Sequence, residues 1–303
     1  MEHSKPIDTQ SQTRGLALGF LSYALWGFFP IYWKFLEDRS ALEVLAHRVI
    51  WSFGFYALVF TVFSTERWSK VLNQSRRDWL LASLASLLLA INWGIYIYAV
   101  NTNRILEGSL AYFINPILNV AVGVLFFKEA FPPILKLSVG FACIGVIAKI
   151  LYSPGFPWIA LVLAFTFCAY GIAKKLLQIP AITSSVLEAG IALLPALAGA
   201  TYFQLDAQVP AATAATWGLL VFSGVVTGLP LFLFSYAAQR VPYSIMGMLQ
   251  FVAPTLQFLV AVVLYGEEFG WHNAVSFGFI WIGMGFYIAH QILRRRATRL
   301  LKA

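Results

Sequence analysis

An all-α integral membrane protein of ten transmembrane helices, built as two inverted five-helix repeats, is the fold class that three observations predict. The first is composition: 60% of the 303 residues are hydrophobic and 11% are charged, against about 25% charged in soluble domains. The second is an internal repeat. Shifting Asn92–Ile150 forward by 138 residues lays it without a gap on Pro230–Ile288, with fifteen of 59 positions identical. These include Tyr98/Tyr236, Phe113/Phe251, Pro116/Pro254, Glu129/Glu267, Phe141/Phe279 and Gly145/Gly283. The third is the distribution of positive charge, which fixes the relative orientation of the halves. Long unbroken apolar runs exclude a closed barrel, whose strands alternate.

The elements follow from where apolar runs of about 20 residues, enough to cross the hydrocarbon core, are broken by polar clusters. Residues 1–14, MEHSKPIDTQSQTR, lack an apolar h-region and are expected to form a disordered cytoplasmic tail with no cleaved signal. The first repeat, 15–152, holds spans near 15–36, 44–63, 79–101, 108–127 and 134–152. Their breaks are Glu37-Asp38-Arg39, Ser64–Asp78, Asn101–Glu107 and Lys128-Glu129, and Pro132-Pro133 opens span five as a first-turn proline can. After Ser153-Pro154-Gly155 the second repeat, 157–293, holds spans near 157–177, 184–203, 216–238, 244–265 and 271–293. A basic cytoplasmic tail, 294–303, closes the chain.

With the N-terminus placed in the cytoplasm, sixteen Lys and Arg fall on that side and only Arg39 and Arg104 opposite; Lys34, Arg48 and Lys149 lie within or at the edge of spans. The positive-inside rule therefore places both termini in the cytoplasm. Five spans per repeat is an odd number, so the second half enters from the opposite side. Inverted repeats of this kind are the architecture of alternating access, and they point to a transporter. The net charge is +8, and the basic tail RRRATRLLK after the last span is expected to anchor near anionic lipid and not to bind nucleic acid.

The intramembrane polar residues are the candidate site. In span four, Tyr112, Asn115 and Asn119 share one helical face. Pro116 leaves the Tyr112 carbonyl without its helical donor, and Pro254 does the same to Gln250 in the related span nine, where Gln250 and Gln257 take the places of Tyr112 and Asn119. These stripes either line a substrate cavity or bond neighbouring helices. Asn92, Trp93, Tyr96 and Tyr170 add polar and aromatic surface suited to organic molecules. His47 and Arg48 in span two either contact substrate or serve a structural, snorkelling role, with Glu43 and Glu37 as candidate partners of Arg48. Glu188, the carboxylate placed well inside a span, is either a proton-coupling group or a paired acid near a helix end, and Glu107 is a further charge candidate. Glu129 and Glu267 each precede a span and are expected to favour its N-terminus electrostatically. The Gly140/Gly145 and Gly278/Gly283 pairs suggest close helix packing.

Cys143 and Cys168 lie inside spans five and six without disulfide or zinc spacing, and no phosphate loop or catalytic motif is present. No cofactor, metal or enzymatic activity is therefore expected. An intramembrane enzyme or lipid-modifying protein is the alternative class; it would need clustered acids or nucleophiles near one interface.

HRVIWS at 47–52, NWGIYIYAVNTNRILEGSLAYFINPILN at 92–119 and TGLPLFLFSYAAQRVPYSIMGMLQFVAPTLQFLVAVVLYGEE at 227–268 resemble the RarD branch of the EamA-type transporters, in the drug/metabolite transporter superfamily. The resemblance spans nearly the whole chain. It implies ten helices, two inverted EamA repeats, a bacterial inner-membrane location and a permease linked to chloramphenicol sensitivity. Related branches export amino acids and other metabolites. The expectation is thus a secondary-active or facilitative exporter of small organic solutes, such as amphenicol-like drugs, amino acids or metabolites. Protons are a candidate coupling ion, and the assembly is a monomer or a homodimer. Reporter fusions test the charge reading: a fluorescent protein at either terminus should fluoresce in the cytoplasm, while alkaline phosphatase there should be inactive.

Overall fold

The computed structural model describes residues 9–102, 104–151, 156–205, 212–266 and 270–300; within these, the side chains of 9, 100–101, 105–109, 272–273 and 290–300 are outside the description. Among the described residues, ten long helices run in chain order: α1 (Thr9–Gly27), α2 (Ala41–Phe63), α3 (Arg76–Asn101), α4 (Ile105–Leu125), α5 (Pro133–Leu151), α6 (Trp158–Leu176), α7 (Ala181–Leu205), α8 (Ala214–Ala238), α9 (Tyr243–Leu264) and α10 (Trp271–Leu300). Eight contain described segments long and apolar enough to cross a membrane; α4 and α10 contribute the shorter apolar stretches Leu110–Leu125 and Ala274–Ala289. No strand occurs among the described residues.

Two helix breaks each lie beside a proline. Pro30 cannot donate to the Trp26 carbonyl, and α1 ends at Gly27 before a short helix, Phe29–Trp33, and a 3₁₀ turn, Lys34–Leu36. The released carbonyl finds its donor in Gln257 Nε2, 3.1 Å away on α9. α9 itself breaks at Phe251, between Tyr243–Gln250 and Val252–Leu259, and ends in a π-helical turn, Val260–Leu264. Its counterpart α4 passes through Pro116 uninterrupted. Two broken helices are implied by the paired prolines; only the second-half one breaks.

Helix contacts carry the repeat into three dimensions. α2 packs on α7, α4 on α9 and α5 on α10, each helix on its own counterpart, while α3 on α6 is mirrored by α8 on α1. Glycines give the direction. A Cβ built on Gly145 would lie 2.6 Å from the Ser276 carbonyl oxygen, and one on Gly283 2.5 Å from that of Ser138. Residue number therefore rises along α5 as it falls along α10. Ala46 faces Gly199 and Phe53 faces Gly190, so α2 and α7 are antiparallel as well. Helices related by a two-fold axis along the membrane normal would run parallel; antiparallel counterparts place the axis in the membrane plane, the geometry of inverted repeats. Phe141 and Phe279, equivalent in the two halves, stack at 6.3 Å on this axis.

Gly145 and Gly283 thus serve the expected close packing, but Gly140 and Gly278 have nothing within 4 Å of a built Cβ. Alanine at the four positions separates the roles. Gly145→Ala and Gly283→Ala should each destabilise by about 1–3 kcal/mol through overpacking, whereas Gly140→Ala and Gly278→Ala should be neutral or gain up to about 1 kcal/mol in helix propensity. Thermal unfolding in detergent reads the difference.

Candidate functional site

The two repeats enclose a cavity of about 580 Å³. α1, α2, α3 and α4 supply Trp26, Arg48, Asn92, Trp93, Tyr96, Tyr112 and Asn115, and the short helix after α1 supplies Trp33; α8 and α9 supply Thr227, Gln250, Ala253 and Gln257. Its lining extends from Asn115 and Gln250 in mid-bundle to Glu37 and Arg39 in the α1–α2 connection. Seven of the nine residues expected from sequence as cavity candidates are on this wall: Asn92, Trp93, Tyr96, Tyr112, Asn115, Gln250 and Gln257.

Asn119 lies just behind it, fully buried, and explains how the wall is held. Asn115 Nδ2 donates to the Ala164 carbonyl at 2.6 Å. Asn119 Nδ2 donates to Asn115 Oδ1 at 3.0 Å and to Gln250 Oε1 at 2.7 Å. The chain of amides joins α6, α4 and α9, and so ties the first repeat to the second. Asn92 Nδ2 similarly donates to the Leu163 carbonyl and Thr166 Oγ1, both at 2.8 Å. Helix bonding and cavity lining, alternatives from sequence, are here combined: Asn92, Asn115 and Gln250 each bond another helix through the amide while lining the cavity. Pro116 and Pro254 are not on the wall; Pro254 is buried beside it.

Arg48 is the charged residue of the cavity interior. α2 is laid on α8 by a ladder one turn apart: Arg48 Nε donates to Thr227 Oγ1 at 2.9 Å, Ser52 Oγ to the Gly224 carbonyl at 3.1 Å, and Tyr56 Oη to the Gly228 carbonyl at 3.0 Å. The guanidinium carbon sits 4.7 Å from the Trp33 ring centre and 4.8 Å from that of Trp93. Cation–π contacts of this kind shelter the charge from the apolar surroundings. Glu43 and Glu37, the partners suggested by sequence, are engaged elsewhere, Glu43 with Arg39 and Glu37 with Lys34, each at 2.5 Å. His47 points away, buried edge-on against Trp217 at 5.3 Å. Trp33 and Thr227 carry no signal in sequence beyond lying near span ends or in an apolar run, and only the packing brings them to Arg48.

Tyr170 and Glu188 line a second cavity of about 410 Å³, between α2, α3 and α7. Its wall is otherwise mainly apolar, and Leu45, Leu89, Trp93 and Leu231 separate it from the first. Glu188 does not stand alone: Lys174 Nζ reaches Glu188 Oε1 at 2.5 Å and Ser184 Oγ at 2.6 Å. Sequence puts Lys174 among the loop cations, whereas it occupies the last turn of α6 and is fully buried. Tyr170 stacks on Phe234 at 5.8 Å beside this pair.

The opposite end of the bundle is sealed between the repeats. Glu129 accepts from the backbone N–H groups of Tyr243 and Ser244 at 2.6 and 2.8 Å, and from Ser244 Oγ at 2.7 Å. It therefore caps α9 of the other half, not α5 that follows it. A carboxylate at exposed helix-start N–H groups satisfies donors that no helical carbonyl reaches. Lys175 Nζ stands 3.7 Å from the same carboxylate and donates to the Val241 carbonyl at 2.9 Å. The Glu107 side chain and Glu267 lie outside the described residues. Among those described, no group of three His, Cys, Asp or Glu side chains is placed to hold a metal ion.

The EamA-like transporter family model matches the chain twice, over residues 13–150 and 156–289. The chain is 37% identical to an uncharacterized transporter, YojE, of Bacillus subtilis over 290 residues, covering 94% of this chain and 97% of that one. It is 34% identical to protein RarD of Escherichia coli, covering 96% and 99%. It is also 29% identical to the chloramphenicol-sensitive protein RarD of Pseudomonas aeruginosa, covering 94% and 98%. A crystal structure superimposes with a TM-score of 0.71 at 18% identity, over 90% of this chain and 96% of that one, a likeness of fold.

The buried ion pair gives a test independent of transport. Lys174→Met should cost about 3–5 kcal/mol by stranding the Glu188 carboxylate, and the double change Lys174→Met with Glu188→Leu should recover most of that. Thermal unfolding of the purified variants checks it.

Proposed function

As the chain belongs to the EamA-like transporter family and is a multi-pass membrane protein, we propose that it carries small organic solutes through the cavity between its two repeats by alternating access. The single observation that supports this most is that the wall is built by both halves and joined by the Asn115–Asn119–Gln250 relay across them. A cavity at the interface of inverted repeats can open to either side by rocking one bundle on the other. With both termini cytoplasmic in a bacterial inner membrane, the cavity faces outward and the Glu129–α9 contacts form the inner closure.

Transport is secondary-active or facilitative, since the sequence carries no nucleotide-binding motif. Export is the favoured direction, and the named relatives make amphenicol-like drugs the first compounds to try, followed by amino acids and other metabolites. The Lys174–Glu188 pair, whose acid lines the second cavity, is the place where a proton would couple. The first cavity, about 580 Å³, is in the size range of small-molecule pockets.

A ligand-stabilisation screen on purified protein, repeated with Asn115→Ala, Gln250→Ala and Glu188→Gln, tests the assignment. Compounds that raise the melting temperature of the parent should lose about tenfold in affinity with Gln250→Ala, and the same compounds should move across liposomes bearing the protein. A hit that stabilises all three variants as well as the parent overturns the cavity assignment.

A further inference from the structure

Among the described residues, three charged side chains line the first cavity: Glu37, Arg39 and Arg48. Two are matched, Glu37 by Lys34 and Arg39 by Glu43, both at 2.5 Å. Among the described residues, no carboxylate reaches Arg48. The ionisable side chains that interact with it electrostatically are the phenols of Tyr112, Tyr96 and Tyr32, neutral at physiological pH. Its Nε bonds to Thr227 and its ring contacts to Trp33 and Trp93 use no N–H donor. A guanidinium carries five N–H donors in a planar fork and stays protonated in proteins. Among the described residues, the outer N–H groups of Arg48 meet no protein acceptor, and the residue is only partly buried, on the cavity wall.

Such a cation is costly in a membrane unless something completes it. The Trp contacts supply part of the compensation but leave the charge formally unneutralised. Around it, Trp26, Trp93, Tyr96 and Phe167 offer flat apolar surface, and Gln250 Nε2, which donates to no group among the described residues, lies on the same wall.

We infer that the cavity takes an organic monoanion, a carboxylate attached to a flat apolar or aromatic body, with Arg48 as the fork that binds the carboxylate. This rests on the transport reading above and narrows its substrate class. A zwitterion or a cation would bring an ammonium beside Arg48, with no unmatched acid among the described lining to receive it. A neutral drug would leave Arg48 uncompensated.

The experiment has two arms. In the first, benzoate, 3-phenylpropanoate and indole-3-acetate are compared with their primary amides, with phenylalanine and with chloramphenicol as stabilisers of the purified protein at neutral pH. The acids should bind at least about tenfold more tightly than the amides, and Arg48→Gln should erase that preference while Arg48→Lys keeps part of it. The second arm needs no knowledge of the ligand's body. In a Cys143→Ala, Cys168→Ala background, Leu45→Cys places a thiol on the cavity wall one turn from Arg48. Its labelling by a negatively charged methanethiosulfonate, relative to a positively charged one, should fall about tenfold when Arg48→Gln is added.

Binding of chloramphenicol or the amides equal to that of the acids, and unchanged by Arg48→Gln, overturns the inference and leaves the transport reading standing. So does stronger binding of phenylalanine than of 3-phenylpropanoate. A labelling ratio indifferent to Arg48 overturns it too. If no compound in the panel binds, the inference fails; if, in addition, liposomes bearing the protein move none of these compounds, the transport reading fails with it.

Discussion

A polar group inside a bilayer has no water to bond, so its partner must come from the protein. Each notable junction in this bundle is an answer to that requirement. The Trp26 carbonyl released by Pro30 takes a proton donor from Gln257, across the two halves. The first N–H groups of α9 take a carboxylate from Glu129, 114 residues away in sequence. Lys174 and Glu188 neutralise one another where either alone would be expensive. Packing between the helices is in turn set by these unions, because each one fixes a rotation and a depth for both helices it joins.

The same requirement marks the cavity by exception. Asn92, Gln250 and Gln257 each use one end of the amide on a neighbouring helix while lining the open space. Arg48 goes further, with one N–H bonded and two rings against its charge. Groups with bonding capacity left over, held rigidly by the part already used, are what a binding wall requires. Symmetry adds the second ingredient. The antiparallel seams α2–α7, α4–α9 and α5–α10 lie where one half could turn against the other, and the small Gly145 and Gly283 let the last seam close tightly.

The halves are alike in path but not in chemistry. Asn115 is matched by Ala253 and Tyr112 by Gln250, so the relay of amides crosses the axis obliquely from Asn119 to Gln250 and is not duplicated on the other side. Asn92, bonded to α6, is matched by Pro230, whose carbonyl accepts from Ser22 on α1 instead, at 2.8 Å. The pseudo-symmetric scaffold thus holds an asymmetric wall, and discrimination between solutes resides in those differences.

Much of the fold was legible in the sequence because hydropathy and charge are summed over whole segments. Twenty apolar residues predict a span wherever the neighbours are, and an odd number of spans per repeat dictates inversion before any helix is packed. The candidate wall was also largely legible, since Asn, Gln, Trp and Tyr at membrane depth are few and face protein or water. What the sequence left open was which polar group meets which. Lys174 reads as a loop cation, Glu129 as a cap for the helix after it, and Arg48 as a partner for Glu43; their actual contacts depend on the rotation and register of helices far apart in the chain. Those are properties of side-chain packing between helices, which neither hydropathy nor spacing along one helix contains, and only the tertiary structure decided them.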